Sequence, residues 1–273
     1  MPLTALWLAL AAAFVHALWN LLLAGARDIQ AATAVALLVA VAAFAPAAAV
    51  LWHVDAAAWP YLAASSCLQL AYFALLAFAY GRSELSLVYP LARGSAPVLV
   101  LVGGVALVGT QTSATQAAGV VLVATGIVLV RGLGRPHRAG DVAVAFVIGI
   151  CIAAYTLVDK RGVAHANPVT YLELSLVVPA LAYAAFVARA KGVLALRAAA
   201  GARSAATGVA NFAGYALVLA ALQRGSAASV AAVRETSVVI AAVLAAPLLG
   251  ERVGIVRVAG ACIVAVGVAA LAA

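Results

Sequence analysis

Arg93 and Arg234 sit inside long apolar stretches, LSLVYPLARGSAPV (Leu85 to Val98) and ASVAAVRETSVVI (Ala228 to Ile240). A charge in mid-bilayer costs about 3 kcal/mol or more, so such a residue faces a partner or a cavity. Arginine stays protonated when buried and offers a planar fork to carboxylates and phosphates. Two arginines with one nearby acid, Glu235, leave a net positive wall if His16 is neutral. The expected solute is therefore anionic or zwitterionic: an amino acid, an organic acid or a phosphonate. The competing account is structural, with Arg93 paired to Glu235 and Arg234 capping backbone carbonyls around a neutral substrate. Glu235 directly follows Arg234, and adjacent helical residues point about 100° apart. Glu235 is therefore expected to pair across the cavity with Arg93 instead of with its neighbour.

Other polar residues fall in register with these. Tyr89 is one turn before Arg93, and Pro90 and Pro97 flank it. Proline frees carbonyls and bends a helix, which membranes tolerate where a neighbour or a cavity satisfies the groups. His16 and Asn20 are four apart, share one helix face and have Trp19 beside them. Their second-half counterparts in AYTLVDKRG are Tyr155 and Asp159. The run Asp159-Lys160-Arg161 falls near a helix end, where pairing at the membrane interface is expected. Gln69, Tyr72, Asn211 and Tyr215 are further candidates to line a polar cavity.

Signatures of other chemistries are missing from the sequence. His16, His53, His137 and His165 form no HExxH or paired-histidine site, and there is no phosphate-binding glycine loop or nucleophile elbow. No metal or cofactor is expected. Cys67, Cys151 and Cys262 lie far apart in apolar segments and read as packing residues. An enzyme reading survives in one form: a membrane-embedded enzyme acting on a lipid-linked substrate, with His16 and Asp159 as acid and base.

The elements that position these residues must be membrane helices. The chain is 68% hydrophobic and 9% charged over 273 residues, with mean hydropathy +1.19. A water-soluble fold of that composition would have to hide nearly its whole surface. The apolar stretches run about 20 residues without period-two alternation, which argues for helices over a barrel. The net charge of +8 comes mostly from short gaps between apolar runs, the pattern of cytoplasmic loops and not of a nucleic-acid-binding arm. The first stretch lacks the positive leader of a cleavable signal and reads as a retained helix.

The expected fold is an all-α membrane protein of ten transmembrane helices in two inverted five-helix repeats, residues 1–137 and 138–273. The spans are Leu3–Ala24, Ala31–Leu51, Tyr61–Tyr80, Leu85–Val108 and Gln116–Val130, then Val142–Asp159, Val169–Ala188, Ala205–Leu222, Ala227–Leu249 and Ile255–Leu271. Sliding the chain by 141 positions places Arg93 on Arg234, Gly109 on Gly250, Gly119 on Gly260 and Gly126 on Gly267. Five helices per half is odd, so the two repeats insert with opposite orientation and the arginines fall on opposite sides of the midplane. Small residues seven apart, as in Gly119/Gly126 and Gly260/Gly267, suit close helix packing. Basic residues concentrate in the odd-numbered loops, among them Arg27, Arg82, Arg138, Arg189, Lys191, Arg197 and Arg203. The even loops hold Lys160, Arg161 and Arg224. The positive-inside rule puts the odd loops in the cytoplasm and both termini outside.

HALWN (His16 to Asn20), LSLVYPLARGSAP (Leu85 to Pro97), AYTLVD (Ala154 to Asp159), VRETSVV (Val233 to Val239) and LLGE (Leu248 to Glu251), in this order, resemble the EamA-type branch of the drug/metabolite transporter superfamily. The resemblance implies a 5+5 inverted-repeat carrier of small metabolites in the inner (plasma) membrane, working by alternating access, with many members exporters or exchangers. Its implied partners are a small-molecule substrate, membrane lipid and a candidate coupling proton, in a monomer or homodimer. One position departs from the pattern: the Gly-Glu pair at Gly250-Glu251 corresponds to Gly109-Thr110, so the first half lacks that acid.

Overall fold

A computed structural model describes residues 1–82, 85–131, 139–241, 243 and 255–272. Among them the chain is helical without named strands. The helices are α1 (Leu3–Ala24), α2 (Ile29–Val50), α3 (Trp59–Arg82), α4 (Leu85–Val108), α5 (Ala114–Arg131), α6 (Ala139–Gly162), α7 (Pro168–Lys191), α8 (Val193–Ala199), α9 (Ala202–Arg224), α10 (Ala227–Arg234) and α11 (Ile255–Ala272). Six are long and apolar enough to cross a membrane by length and composition, with cores at Leu3–Ala24, Ile29–Val50, Leu91–Val108, Val142–His165, Pro168–Lys191 and Ala202–Arg224.

Local chemistry sets the ends. Asp28 caps α2 by accepting from the Ala31 N–H at 3.1 Å. Asn167 accepts from the Val169 N–H with Pro168 opening α7, and Ser226 accepts from the Ser229 N–H to start α10. Gly192 takes φ +83°, a left-handed conformation that lets the chain leave α7. Two of the sequence expectations need correction here. The ninth span is not one helix: α10 stops at Arg234, two turn residues follow, and helix resumes at 237–241. The stretch from Arg189 to Arg203 is not all loop, since it holds α8, none of whose residues is buried.

The bundle is inside out relative to a water-soluble protein. Trp7, Phe14, Phe78, Leu107, Leu181, Phe186 and Ile255 point outward, whereas Arg93, Asp159, Glu173, Arg234 and Glu235 are buried. Lipid tails solvate the outer apolar side chains at no cost, and the interior hides the polar groups they cannot solvate. The protein is thus an integral membrane protein. Close contact between helices rests on small residues, with Ala5, Ala9, Ala13 and Ala17 of α1 and Ala34, Ala36 and Ala40 of α2 all buried.

The packing pattern has a two-fold character. Exchange α1 with α6, α2 with α7, α3 with α9, α4 with α10 and α5 with α11. The neighbours α1–α9 then become α6–α3, α2–α9 becomes α7–α3, and α4–α6 becomes α10–α1; α2–α7 and α5–α11 map onto themselves. At the α5–α11 crossing, a Cβ on Gly126 would stand 2.6 Å from the Gly260 carbonyl oxygen, and one on Gly267 would stand 2.9 Å from that of Gly119. Both glycine stripes therefore serve backbone contact. Gly126→Val is expected to destabilise the fold by about 1–3 kcal/mol through overpacking, read as a lowered midpoint of thermal unfolding in detergent. An unchanged midpoint would mean the crossing can part without loss.

The two ends of the bundle are tied differently. At one end the Asp55 N–H donates to the His165 carbonyl at 2.9 Å and the Asn167 N–H to that of His53 at 2.8 Å. An isolated antiparallel bridge joins Val54 and Ala166 between them. The Met1 ammonium donates to the Leu271 carbonyl, so the start of α1 and the end of α11 lie at one face. At the other end the link is made by exposed side chains: Lys191 Nζ donates to both Asp28 carboxylate oxygens at 2.8 Å, and the Arg203 guanidinium donates to the Gly25 carbonyl.

The hydrogen bond from Lys191 holds the Asp28 carboxyl below its ordinary range. A depressed carboxylate stabilises the fold above its unfolded pKa and loses that contribution as pH falls through the folded value. With both partners about a third exposed, the effect is less than about 1 kcal/mol. Asp28→Asn is expected to lower the thermal midpoint slightly at neutral pH and not at all in strong acid. A difference that persists in strong acid would assign the effect to an altered helix cap instead of the ion pair.

Candidate functional site

A cavity of about 120 Å³ lies among the helices. α1 supplies His16, Trp19, Asn20 and Leu23, α2 Thr33, α3 Gln69 and Tyr72, and α9 Thr207, Asn211 and Tyr215; Arg93 comes from α4, Tyr155 from α6 and Arg234 from α10. Leu23, Thr33 and Thr207 belong to the end of α1 and the starts of α2 and α9, so the cavity extends toward the face tied by Asp28 and Lys191. Of the other sequence candidates, Glu235 stands behind the arginines, and the Tyr89 side chain lies outside the described residues, as does Glu251.

Glu235 is completely buried and joins both arginines. Its Oε1 accepts from Arg93 Nη1 at 3.2 Å and from Arg234 Nε and Nη2 at 3.1 and 2.9 Å. The expectation that Glu235 avoids its neighbour is corrected, because the helix ends between them. With Glu235 at φ −71°, ψ −8° as the last cap of α10, Arg234 curls back and reaches it. The result is a buried cation–anion–cation cluster with one net positive charge. Arg234 spends Nε and Nη2 on Glu235 and is itself among the residues lining the cavity. At the break the Glu235 N–H is shared between the Ala231 and Ala232 carbonyls, and the Thr236 N–H donates to that of Val233.

A second polar cluster lies beside the first. Asp159 is fully buried, accepting from the Tyr171 hydroxyl at 3.1 Å and the Tyr215 hydroxyl at 2.6 Å. The interfacial pairing expected for Asp159 is therefore corrected: Lys160 turns away and donates to the Leu222 carbonyl. Gly162 makes the contact possible, since a Cβ there would stand 2.5 Å from the Tyr171 ring. Tyr155, 8% exposed, packs edge-on against Tyr72 and Tyr215 at 6.1 and 6.0 Å between ring centres, giving the cavity an aromatic side. Gln69 donates to Ser65 and Ser175, and the Asn20 amide donates to the His16 carbonyl at 2.7 Å.

Sequence reasoning missed two buried acids as interior groups. Asp159 carried a readable signal, its four-residue spacing from Tyr155 on one helix face. Glu173 of α7 did not: it is a lone acid in an apolar run, buried, with Oε2 unbonded among the described residues. Among those residues no group of three His, Cys, Asp or Glu could hold a metal ion. Cys151 is buried and Cys67 and Cys262 are exposed on the outer surface, all as free thiols.

Residues 140–273 match the EamA-like transporter family. No curated protein matches the sequence. A solved structure described only as the crystal structure of a protein superposes with a TM-score of 0.75, covering 98% of each chain at 14% identity. At that identity the likeness is one of fold.

Proposed function

We infer from the match of residues 140–273 to the EamA-like transporter family that the protein belongs to that family and is a secondary carrier of a small anionic or zwitterionic metabolite. In this reading the exchange of packing partners described above reflects two inverted five-helix repeats, and the cavity between them alternates its access between the two faces. The observation that carries the proposal is the Arg93–Glu235–Arg234 cluster on the cavity wall. A purely structural role would be met by neutralising the charge or removing it. This cluster keeps one unneutralised positive charge where a solute can reach it, and an anion completes it. Amino acids, organic acids and phosphonates fit that requirement. The carrier resides in the inner membrane as a monomer or homodimer and serves export or exchange, with a coupling proton as a candidate co-substrate. The enzyme alternative finds less support: Asp159 hydrogen-bonds Tyr171 and Tyr215, and His16 Nδ1 accepts from Trp19.

Flux in proteoliposomes tests the class. Uptake of a carboxylate or phosphonate from a charge-balanced panel is the expected result. Turnover of a lipid-linked substrate without flux of any solute would replace the carrier with an enzyme.

Orientation follows from loop charge, with the 189–203 segment in the cytoplasm. In a background lacking Cys67, Cys151 and Cys262, Arg197→Cys is expected to resist an impermeant thiol reagent applied outside and to react after the inner face is exposed. Strong labelling from outside would reverse the topology.

A further inference from the structure

We propose that His16, as a neutral ring donating from Nε2, is a binding residue for the anionic group of the solute, and that Trp19 sets its tautomer. The proposal rests on the carrier reading above. The indole Nε1–H of Trp19 donates to His16 Nδ1 at 3.1 Å, with the rings edge-on at 4.7 Å. An indole nitrogen can only donate, so Nδ1 must hold its lone pair toward it, and the ring hydrogen belongs on Nε2. A doubly protonated ring would set two N–H groups against each other. Nε2 therefore carries a hydrogen, yet it is buried and has no hydrogen-bond partner among the described residues.

A buried donor without an acceptor is a cost that folding alone does not repay. The same histidine lines the cavity with Arg93 and Arg234, and α1 packs against α10. The arginines and the indole can only donate, and no acceptor among the described residues reaches His16 Nε2. Glu235, the acid of the cluster, is already engaged by Arg93 and Arg234. A solute oxyanion supplies what the site lacks, taking the Nε2–H from α1 together with guanidinium donors from α4 and α10. With a neutral imidazole and one net positive charge on the arginine cluster, the group that balances the site is a monoanion. This is a carboxylate or a singly ionised phosphonate, and a doubly charged group leaves an uncompensated negative charge. Binding would then draw α1 toward α4 and α10, elements on both sides of the two-fold packing.

The test uses purified full-length protein with pyruvate, methylphosphonate, glycine and choline as probes. Binding is followed by thermal shift, and the histidine ring by nitrogen-15 resonances assigned through His16→Gln. The expected result is a neutral ring protonated at Nε2 whose resonance moves when pyruvate or methylphosphonate binds. His16→Phe is expected to weaken that binding roughly 10- to 100-fold, the effect of losing a hydrogen bond to a charged group. His16→Gln, with an amide N–H near the Nε2 position, is expected to recover most of it. Trp19→Phe is expected to move the ring hydrogen partly to Nδ1 and weaken binding in step. If His16→Phe alone lowers the midpoint without ligand, the resonance shift and the glutamine variant decide. Anion affinity unchanged in His16→Phe, or an Nε2 resonance unmoved at saturation, overturns this proposal and leaves the carrier reading standing. A wild-type protein that responds to choline and to neither anion overturns both.

Discussion

Glu235→Ala is expected to destabilise the protein by about 3–5 kcal/mol, the cost of stripping the partner from buried charges. The carboxylate accepts from Arg93 and Arg234 at once, so its removal leaves two buried guanidiniums facing each other without their shared counter-charge. Two like charges a few ångströms apart repel much more strongly there than in water. Arg93→Ala is expected to cost less, because Arg234 still holds Glu235 through two N–H groups and the pair left behind is neutral. Glu235→Gln keeps the volume and one acceptor and should fall between them. Thermal unfolding in detergent orders the three. If Arg93→Ala proves as costly as Glu235→Ala, the cluster is not a three-body unit and Arg93 has a structural role of its own.

How far this cluster was readable from the residues is instructive. The 141-residue offset singled out Arg93 and Arg234 together, since charges in apolar runs are rare enough for their spacing to carry information, and both line the cavity. The same offset placed Gly119 and Gly126 against Gly260 and Gly267, and these stripes do meet at one crossing. Helix positions followed from apolar length, because a bilayer sets a minimum that soluble folds do not have. The break after Arg234 had no such signal. VRETSVV contains neither proline nor glycine, and the helix stops where a buried acid must turn back to meet two cations, a tertiary demand that local propensity does not record. Asp159 was misplaced for a related reason. A charged run at a helix end ordinarily belongs to the interface, and only the fold reveals that Tyr171 and Tyr215 come from other helices to bury it.

Lysine at either arginine position is the substitution that separates transport from architecture. Arg93→Lys and Arg234→Lys keep the charge and lose the planar fork. Arg93 reaches Glu235 through Nη1, a contact that a lysine ammonium can approximate, so Arg93→Lys is expected to fold with a near-native thermal midpoint. Arg234 holds Glu235 through both Nε and Nη2 and also lines the cavity. A single ammonium cannot serve both roles, so Arg234→Lys should lose more stability. Both variants are expected to lose flux roughly 10- to 100-fold in proteoliposomes, since each gives up a hydrogen bond to a charged solute. If the repeats are inverted, the two arginines lie on opposite sides of the midplane and meet the solute chiefly in different access states. The losses should then differ in kind: one variant weakens apparent affinity when solute is offered from the cytoplasmic face, and the other when it is offered from outside. Flux and unfolding must be measured on the same preparations. Native flux in both lysine variants, beside a large stability loss in Arg234→Ala, would move the arginines from the binding site to the scaffold and leave the cavity to a neutral solute.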